Sequence, residues 1–149
     1  MAKFRYKLQS ILNIKMKMED QAKQDFASAR MALNEEEEKL EALIERRKSY
    51  EQRAKELLSG TLNIREIEEN KNAILTLDGF VSAQRVQVDK SELRLEKARI
   101  LMTEAMQERK TQETLREKAF EEFLQEENRA ESKVIDELTS YTYGQKQEV

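Results

Sequence analysis

The chain has 149 residues, no cysteine and no histidine, and a formal net charge of −3. This removes disulfides, thiolate and imidazole chemistry and the commonest zinc ligands, and it argues against nucleic acid as a general partner. Charged residues make up 38% of the chain and hydrophobic residues another 38%, with no proline and three glycines, a balance that describes long helices and not a sandwich, a barrel or a globular core.

The opening, MAKFRYKLQSILNIKMKM, is basic and free of acid until Glu19. It has neither a continuous apolar segment nor a small-residue cleavage site, so a secretion signal is not expected; an organellar transit peptide stays open. Phe4, Leu8, Ile11 and Met18 form a first apolar stripe that Lys15 interrupts. From Met18 through Ala22 to Phe26 the steps are four and four, which reads as a stutter that relaxes the supercoil. From there the pattern is regular. Ala22, Phe26, Ala29, Leu33, Glu36, Leu40, Leu43, Arg47, Tyr50, Ala54 and Leu57 follow steps of three and four, and nine of these eleven are apolar. A period near 3.5 over five heptads describes a coiled-coil seam, and such a helix needs a second stripe to cover it. The first helix is expected over about 4–58, a rod of roughly 80 Å.

Leu57-Leu58-Ser59-Gly60 ends that helix with a glycine where a left-handed residue is wanted. Asn63 and Glu66 stand three apart, as in a capping box, with Leu62 and Ile67 placed as a hydrophobic staple. The turn therefore covers 59–63 and the second helix begins at 64, reaching about 141 before a polar tail over 142–149. Its seam is Ile74, Leu77, Val81, Gln84, Val88, Ser91, Leu95, Ala98, Met102 and Ala105, eight of ten apolar. Asp78-Gly79 lies inside this pattern; because the seam continues in phase on both sides, it predicts a kink or a close helix approach and not a turn.

So short a turn makes the two helices antiparallel neighbours, with facing residue numbers summing to roughly 120. Tyr50 then faces the region of Asn72, and Leu43 that of Gly79. The fold class is all-α: one long antiparallel two-helix coiled coil, the second helix longer than the first. Met1 pairs near residue 120, so about 20 residues of the second helix overhang the first by ~30 Å. Ala119, Phe120, Phe123, Leu124, Ala130, Val134, Ile135 and Leu138 form an apolar stripe there with no expected intramolecular cover, the pattern of a binding surface. Residues 1–18 carry +5, whereas residues 113–137 carry nine acids against four bases. Attraction between them favours the antiparallel pairing, weakly. Arg109, Gln112 and Arg116 occupy the seam in the same region, so the open end should be softer than the closed end.

Little here could carry chemistry. Glu35-Glu36-Glu37-Glu38 points around the helical cylinder and cannot converge on one cation. There is no glycine-rich phosphate loop and no nucleophile beside a base. No enzyme, cofactor or metal site is implied. The basic start reads as the first turns of the coiled coil, a membrane-surface helix or a docking point for an acidic protein.

The opening Lys3-Phe4-Arg5-Tyr6-Lys7-Leu8-Gln9-Ser10-Ile11-Leu12-Asn13-Ile14-Lys15, followed by Glu19 and Asp20, resembles the start of the flagellar export protein FliJ family. The pattern alternates aromatic and basic residues and continues as Leu-x-x-(Ile/Val)-Leu-x-(Ile/Val/Leu)-(Arg/Lys). The length of the chain and its division near residue 60 extend the likeness over the whole chain. The resemblance implies a non-catalytic, stalk-like hairpin in the flagellar type III export apparatus. It would sit in the pore of the hexameric export ATPase FliI, contact the export gate protein FlhA and handle export chaperones. Towards the closed end, Leu40, Leu43, Tyr50, Leu77 and Phe80 fit the implied gate contact, while Arg46, Ala73 and Gln84 depart from the larger or aromatic groups expected there.

On this reading Lys3, Phe4, Arg5 and Lys7 meet the ATPase or another partner, and Phe120, Phe123, Leu124, Val134 and Leu138 a chaperone or other partner. The expected location is cytoplasmic, at the inner-membrane face of the flagellar base, with the free protein a monomer, no nucleic-acid partner and no insertion into the membrane. The alternatives are a generic coiled-coil scaffold or tether, and a membrane-surface hairpin.

Overall fold

The computed structural model describes residues 2–148, with side chains to residue 145. Two helices account for nearly all of it, α1 (Gln9–Leu57) and α2 (Ile64–Glu148), packed as an antiparallel hairpin. They fall into two compact units. A central unit, Gln21–Thr103, holds the turn; a terminal unit combines the stretch up to Asp20 with the stretch from Glu104 onward.

In the central unit the seam is built from the residues that the 3.5-residue period selects. Ala29, Leu33, Leu77, Val88 and Ala98 are buried, and every other position of the two expected stripes from Ala22 to Leu57 and from Ile74 to Met102 is at least half-buried. Only one layer of side chains separates two helices, so full cover is rare: Ala29 is 1% exposed, but Leu77, Leu33, Val88 and Ala98 are 5–9% exposed. Larger seam residues keep an edge in solvent and contribute less than the ~1.5–3 kcal/mol of a fully buried aliphatic side chain.

The turn follows its local chemistry. Leu58 and Ser59 donate backbone bonds to the carbonyls of Lys55 and Glu56, Ser59 Oγ bonds the Glu56 carbonyl as well, and Gly60 takes a φ of 86°. Asn63 then caps α2, its Oδ1 accepting from the Glu66 N–H at 3.4 Å and its carbonyl from the Ile67 N–H at 3.1 Å.

α1 begins at Gln9, five residues later than the sequence suggests. Lys3, Arg5 and Lys7 would place three cations at the positive end of the helix dipole with no acid in the first turn to offset them, so residues 2–6 are non-helical. The first stripe is also corrected. Leu8, Ile11 and Met18 are exposed, whereas Leu12 is 4% and Glu19 5% exposed, with Lys15 half-buried between them. Leu12, Lys15, Glu19, Ala22 and Phe26 keep steps of three and four, so the expected stutter is absent. At its other end α2 continues as helix through residues assigned to a polar tail, to Glu148; Val149 lies outside the described residues.

Gly79 marks no close helix approach. α2 runs unbroken through it, and a Cβ there would meet nothing within 4 Å. Gly79→Ala should therefore raise stability by up to about 1 kcal/mol, while Gly60→Ala, forced to a positive φ, should lower it by ~1–2 kcal/mol. Urea unfolding of both variants checks the opposite signs.

Candidate interaction surfaces

Polar residues stand in both seams, and several reach across to the other helix. In the central unit the Gln84 amide donates to the Glu36 carbonyl at 2.9 Å and to its carboxylate at 2.5 Å. This donor, with Lys39 alongside, holds the Glu36 carboxyl below its ordinary range against the opposing effect of burial. Arg47 bonds Asp78 on α2 and Glu51 on its own helix, and stays protonated all the more firmly for it. Asn70, 6% exposed, donates to the Tyr50 carbonyl at 3.0 Å. Its Oδ1 has no hydrogen-bond partner among the described residues, and Asn70 forms part of an apolar groove of about 220 Å³ beside the turn, with Ala54, Leu57, Ile67 and Ile74.

The terminal unit carries its charges deeper. Arg109 binds Glu19 through Nε at 2.5 Å and Glu113 through Nη1 at 2.8 Å. The Glu19 carboxylate, then the Glu113 carboxylate, raises the guanidinium pKa further above its ordinary value. Lys15 pairs with Glu108 at 2.8 Å and Arg116 donates to Gln9 at 3.0 Å. The seam expected to be weak here is thus a ladder of cross-helix polar pairs.

Beyond the ladder lies the non-helical N-terminal arm. Its exposure alternates: Phe4 and Tyr6 are half-buried, while Lys3, Arg5 and Lys7 are exposed. Lys7 and Leu8 lie in a turn that the Gln9 N–H closes on the Tyr6 carbonyl at 3.1 Å. Phe4 packs on α2, 5.1 Å from the Phe120 ring centroid with the planes at 70° and 5.5 Å from that of Phe123. The Arg116 guanidinium lies over its ring at 5.7 Å. Phe120 and Phe123 therefore have an intramolecular partner, contrary to the expectation of an uncovered stripe, although the cover is partial: Phe123 is half-buried and Phe120 stays 42% exposed. Leu124, Val134 and Leu138 further along α2 remain exposed, and Ile135, Leu138, Thr139, Thr142 and Tyr143 shape a shallow groove of about 360 Å³.

No helix among the described residues is long and apolar enough to cross a membrane. The sequence model described as flagellar FliJ protein matches residues 4–148. The chain belongs to the flagellar FliJ family. FliJ-family members are non-catalytic, and this chain is a stalk-type component of the flagellar export apparatus. Among solved structures, a YscO homolog from Chlamydia trachomatis is similar to it in fold, with a TM-score of 0.61 and 23% identity over 98% of this chain and 99% of the other. No curated protein matches the chain significantly.

The residues implied for the gate contact of a FliJ-family chain fall into three settings. Leu77 is buried in the seam at 5% exposure; Leu40, Leu43 and Tyr50 show one edge beside it; Phe80 offers an open ring at 55% exposure. Sequence reasoning passed over Val86, Leu93 and Ile100, which lie seven apart on α2 and are each about half exposed. Their shared spacing, out of phase with the seam, was the available signal.

Two outcomes follow from the polar pairs. Glu36 has a lowered folded pKa, so its contribution is complete above its unfolded value near 4.5 and is lost as pH falls through the lower folded value. Thermal midpoints measured from about pH 6 to pH 3 should fall less steeply in Glu36→Gln than in the parent. Glu19→Gln should lower the midpoint more than Glu113→Gln, because Glu19 is the buried partner of Arg109.

Proposed function

We propose that this chain works as a docking subunit of the export apparatus, engaging the hexameric export ATPase through its terminal unit and the export gate protein through its central unit. The observation that carries the reading is family membership over 4–148, together with seam residues such as Glu36, Arg47 and Arg109 that are paired inside one molecule, which leaves outward faces free for other proteins.

Lys3, Arg5 and Lys7 form the ATPase contact, with Phe4 anchoring the arm that bears them. At the gate contact Phe80 supplies the reaching side chain, Leu40, Leu43 and Tyr50 add their open edges, and Leu77 supports them from the seam. Leu124, Val134 and Leu138, with the outer edges of Phe120 and Phe123, receive export chaperones. The protein acts in the cytoplasm at the inner-membrane face of the flagellar base and is a monomer when free. A hexameric ATPase needs from such a subunit stiffness and contact, and no catalytic group is required.

Adding the purified protein to the hexameric export ATPase should raise turnover several-fold. Phe80→Ala should keep that stimulation while weakening retention of the gate protein's cytoplasmic domain by roughly tenfold, as loss of a central aromatic anchor does. Unchanged turnover, with no complex in sedimentation, would remove the ATPase from the reading.

A further inference from the structure

Beyond Arg116, which bonds Gln9 at the first turn of α1, α2 has no helix opposite it, and the N-terminal arm lies there instead. One ring fills the place. Phe4 stands edge-on to Phe120 with centroids 5.1 Å apart, lies 5.5 Å from Phe123, and has the Arg116 guanidinium over its face at 5.7 Å. Arg116, Phe120 and Phe123 are spaced four and three, so they share one face of α2. Around the ring the charges are opposite: Lys3, Arg5 and Lys7 line the same groove as Glu122 and Glu126 of α2.

The arm is held by side chains alone. No backbone hydrogen bond joins residues 2–6 to α2 among the described residues, and the Tyr6 hydroxyl reaches Gln112 only at 3.5 Å. The turn that the Gln9 N–H closes on the Tyr6 carbonyl at 3.1 Å lies between the arm and α1, so residues 2–5 can leave α2 with every helical hydrogen bond intact. Phe120 stays 42% exposed beside the docked arm, which gives an incoming side chain an edge to start from.

We propose that the arm is an intramolecular stand-in. The α2 face of Arg116, Phe120 and Phe123, flanked by Glu122 and Glu126, is a binding site for a protein segment in which an aromatic residue sits between basic ones, and the arm covers it until such a segment takes its place. The arm itself shows what the face accepts. Ring-to-ring edge contacts and a guanidinium over a ring favour an aromatic side chain over an aliphatic one, and the carboxylates beside them favour flanking cations and disfavour an acidic segment. A tethered occupant competes at the high effective concentration that its short link gives, so the free chain keeps the face closed to weak or ill-matched segments. The inference goes beyond the docking reading above, because it concerns how this face is opened and what chemistry it selects; its test uses no export component, so its failure leaves that reading untouched.

The test uses the full chain and a synthetic peptide copying residues 2–8, with para-fluorophenylalanine in place of its phenylalanine, titrated to millimolar concentration and followed by fluorine NMR. Phe4→Ala should keep both helices, since residues 2–6 are not helical, and should bind the peptide about tenfold more tightly than the parent, the ratio expected when the arm covers the face in about nine molecules of ten. Adding Phe123→Ala should remove that binding and adding Phe123→Leu, which keeps the apolar bulk, should weaken it several-fold. Adding Ile135→Ala, further along α2, should leave it unchanged; circular dichroism checks helix content in each variant. As unlabelled competitors, a peptide with leucine for its phenylalanine and one with glutamine for its three basic residues should each displace the probe several-fold less well than the original sequence. The proposal is overturned by equal binding to parent and Phe4→Ala, by binding to neither, by binding that survives Phe123→Ala, or by either altered peptide competing as well as the original. It is also overturned if the parent sediments as a dimer that Phe4→Ala dissolves, which would make the arm of a second copy the occupant.

Discussion

In a two-helix coiled coil the seam is a single layer, and any polar group placed in it must be met from the other helix. That constraint governs the structure more than the apolar stripes do. Leucine and alanine at regular spacing can slide by a heptad at little cost, whereas a misplaced carboxylate or amide loses its partner. Gln84 meets Glu36, Asp78 meets Arg47 and Tyr50 meets Asn70 in the central unit; Arg109 meets Glu19 and Glu108 meets Lys15 in the terminal unit. All five lie near the facing sum of roughly 120, so these contacts fix one antiparallel register in each unit.

Committing the polar seam residues to each other has a functional consequence. A subunit whose own charges are matched internally can expose other charges and aromatics for partners without misfolding around them. Phe80, the outward row of Val86, Leu93 and Ile100, and the cations of the N-terminal arm are all of this kind. A FliJ-family stalk fits that division, for its work is contact and support and not chemistry.

The sequence revealed the two seams from Ala22 to Leu57 and from Ile74 to Met102, because hydrophobic spacing of 3.5 survives unaltered in a hairpin of this type. The Gly60 turn and the Asn63 cap were legible for the same reason: each depends on residues within a few positions. The first 20 residues were misread. Leu8, Ile11 and Met18 make a plausible stripe to any reading that counts apolar groups, but Leu12, Lys15 and Glu19 hold the seam. Glu19 is accepted there only because Arg109 waits ninety positions away, and no local pattern announces such a partner. The cover that Phe4 gives Phe120 and Phe123 was hidden likewise, since a helix assumed to start at residue 4 would have used Phe4 in a different way.

The central claim is that both units pair α1 with α2 inside a single molecule. Double electron–electron resonance tests it directly, with nitroxides on cysteines introduced at Glu38 and Ser82 for the central unit, and at Lys17 and Lys110 for the terminal unit. Packed helices lie about 8–10 Å apart, so each pair should give a narrow distribution below about 25 Å, unchanged when labelled protein is diluted with unlabelled. A long or broad separation, or a short one that vanishes on dilution, would contradict the account.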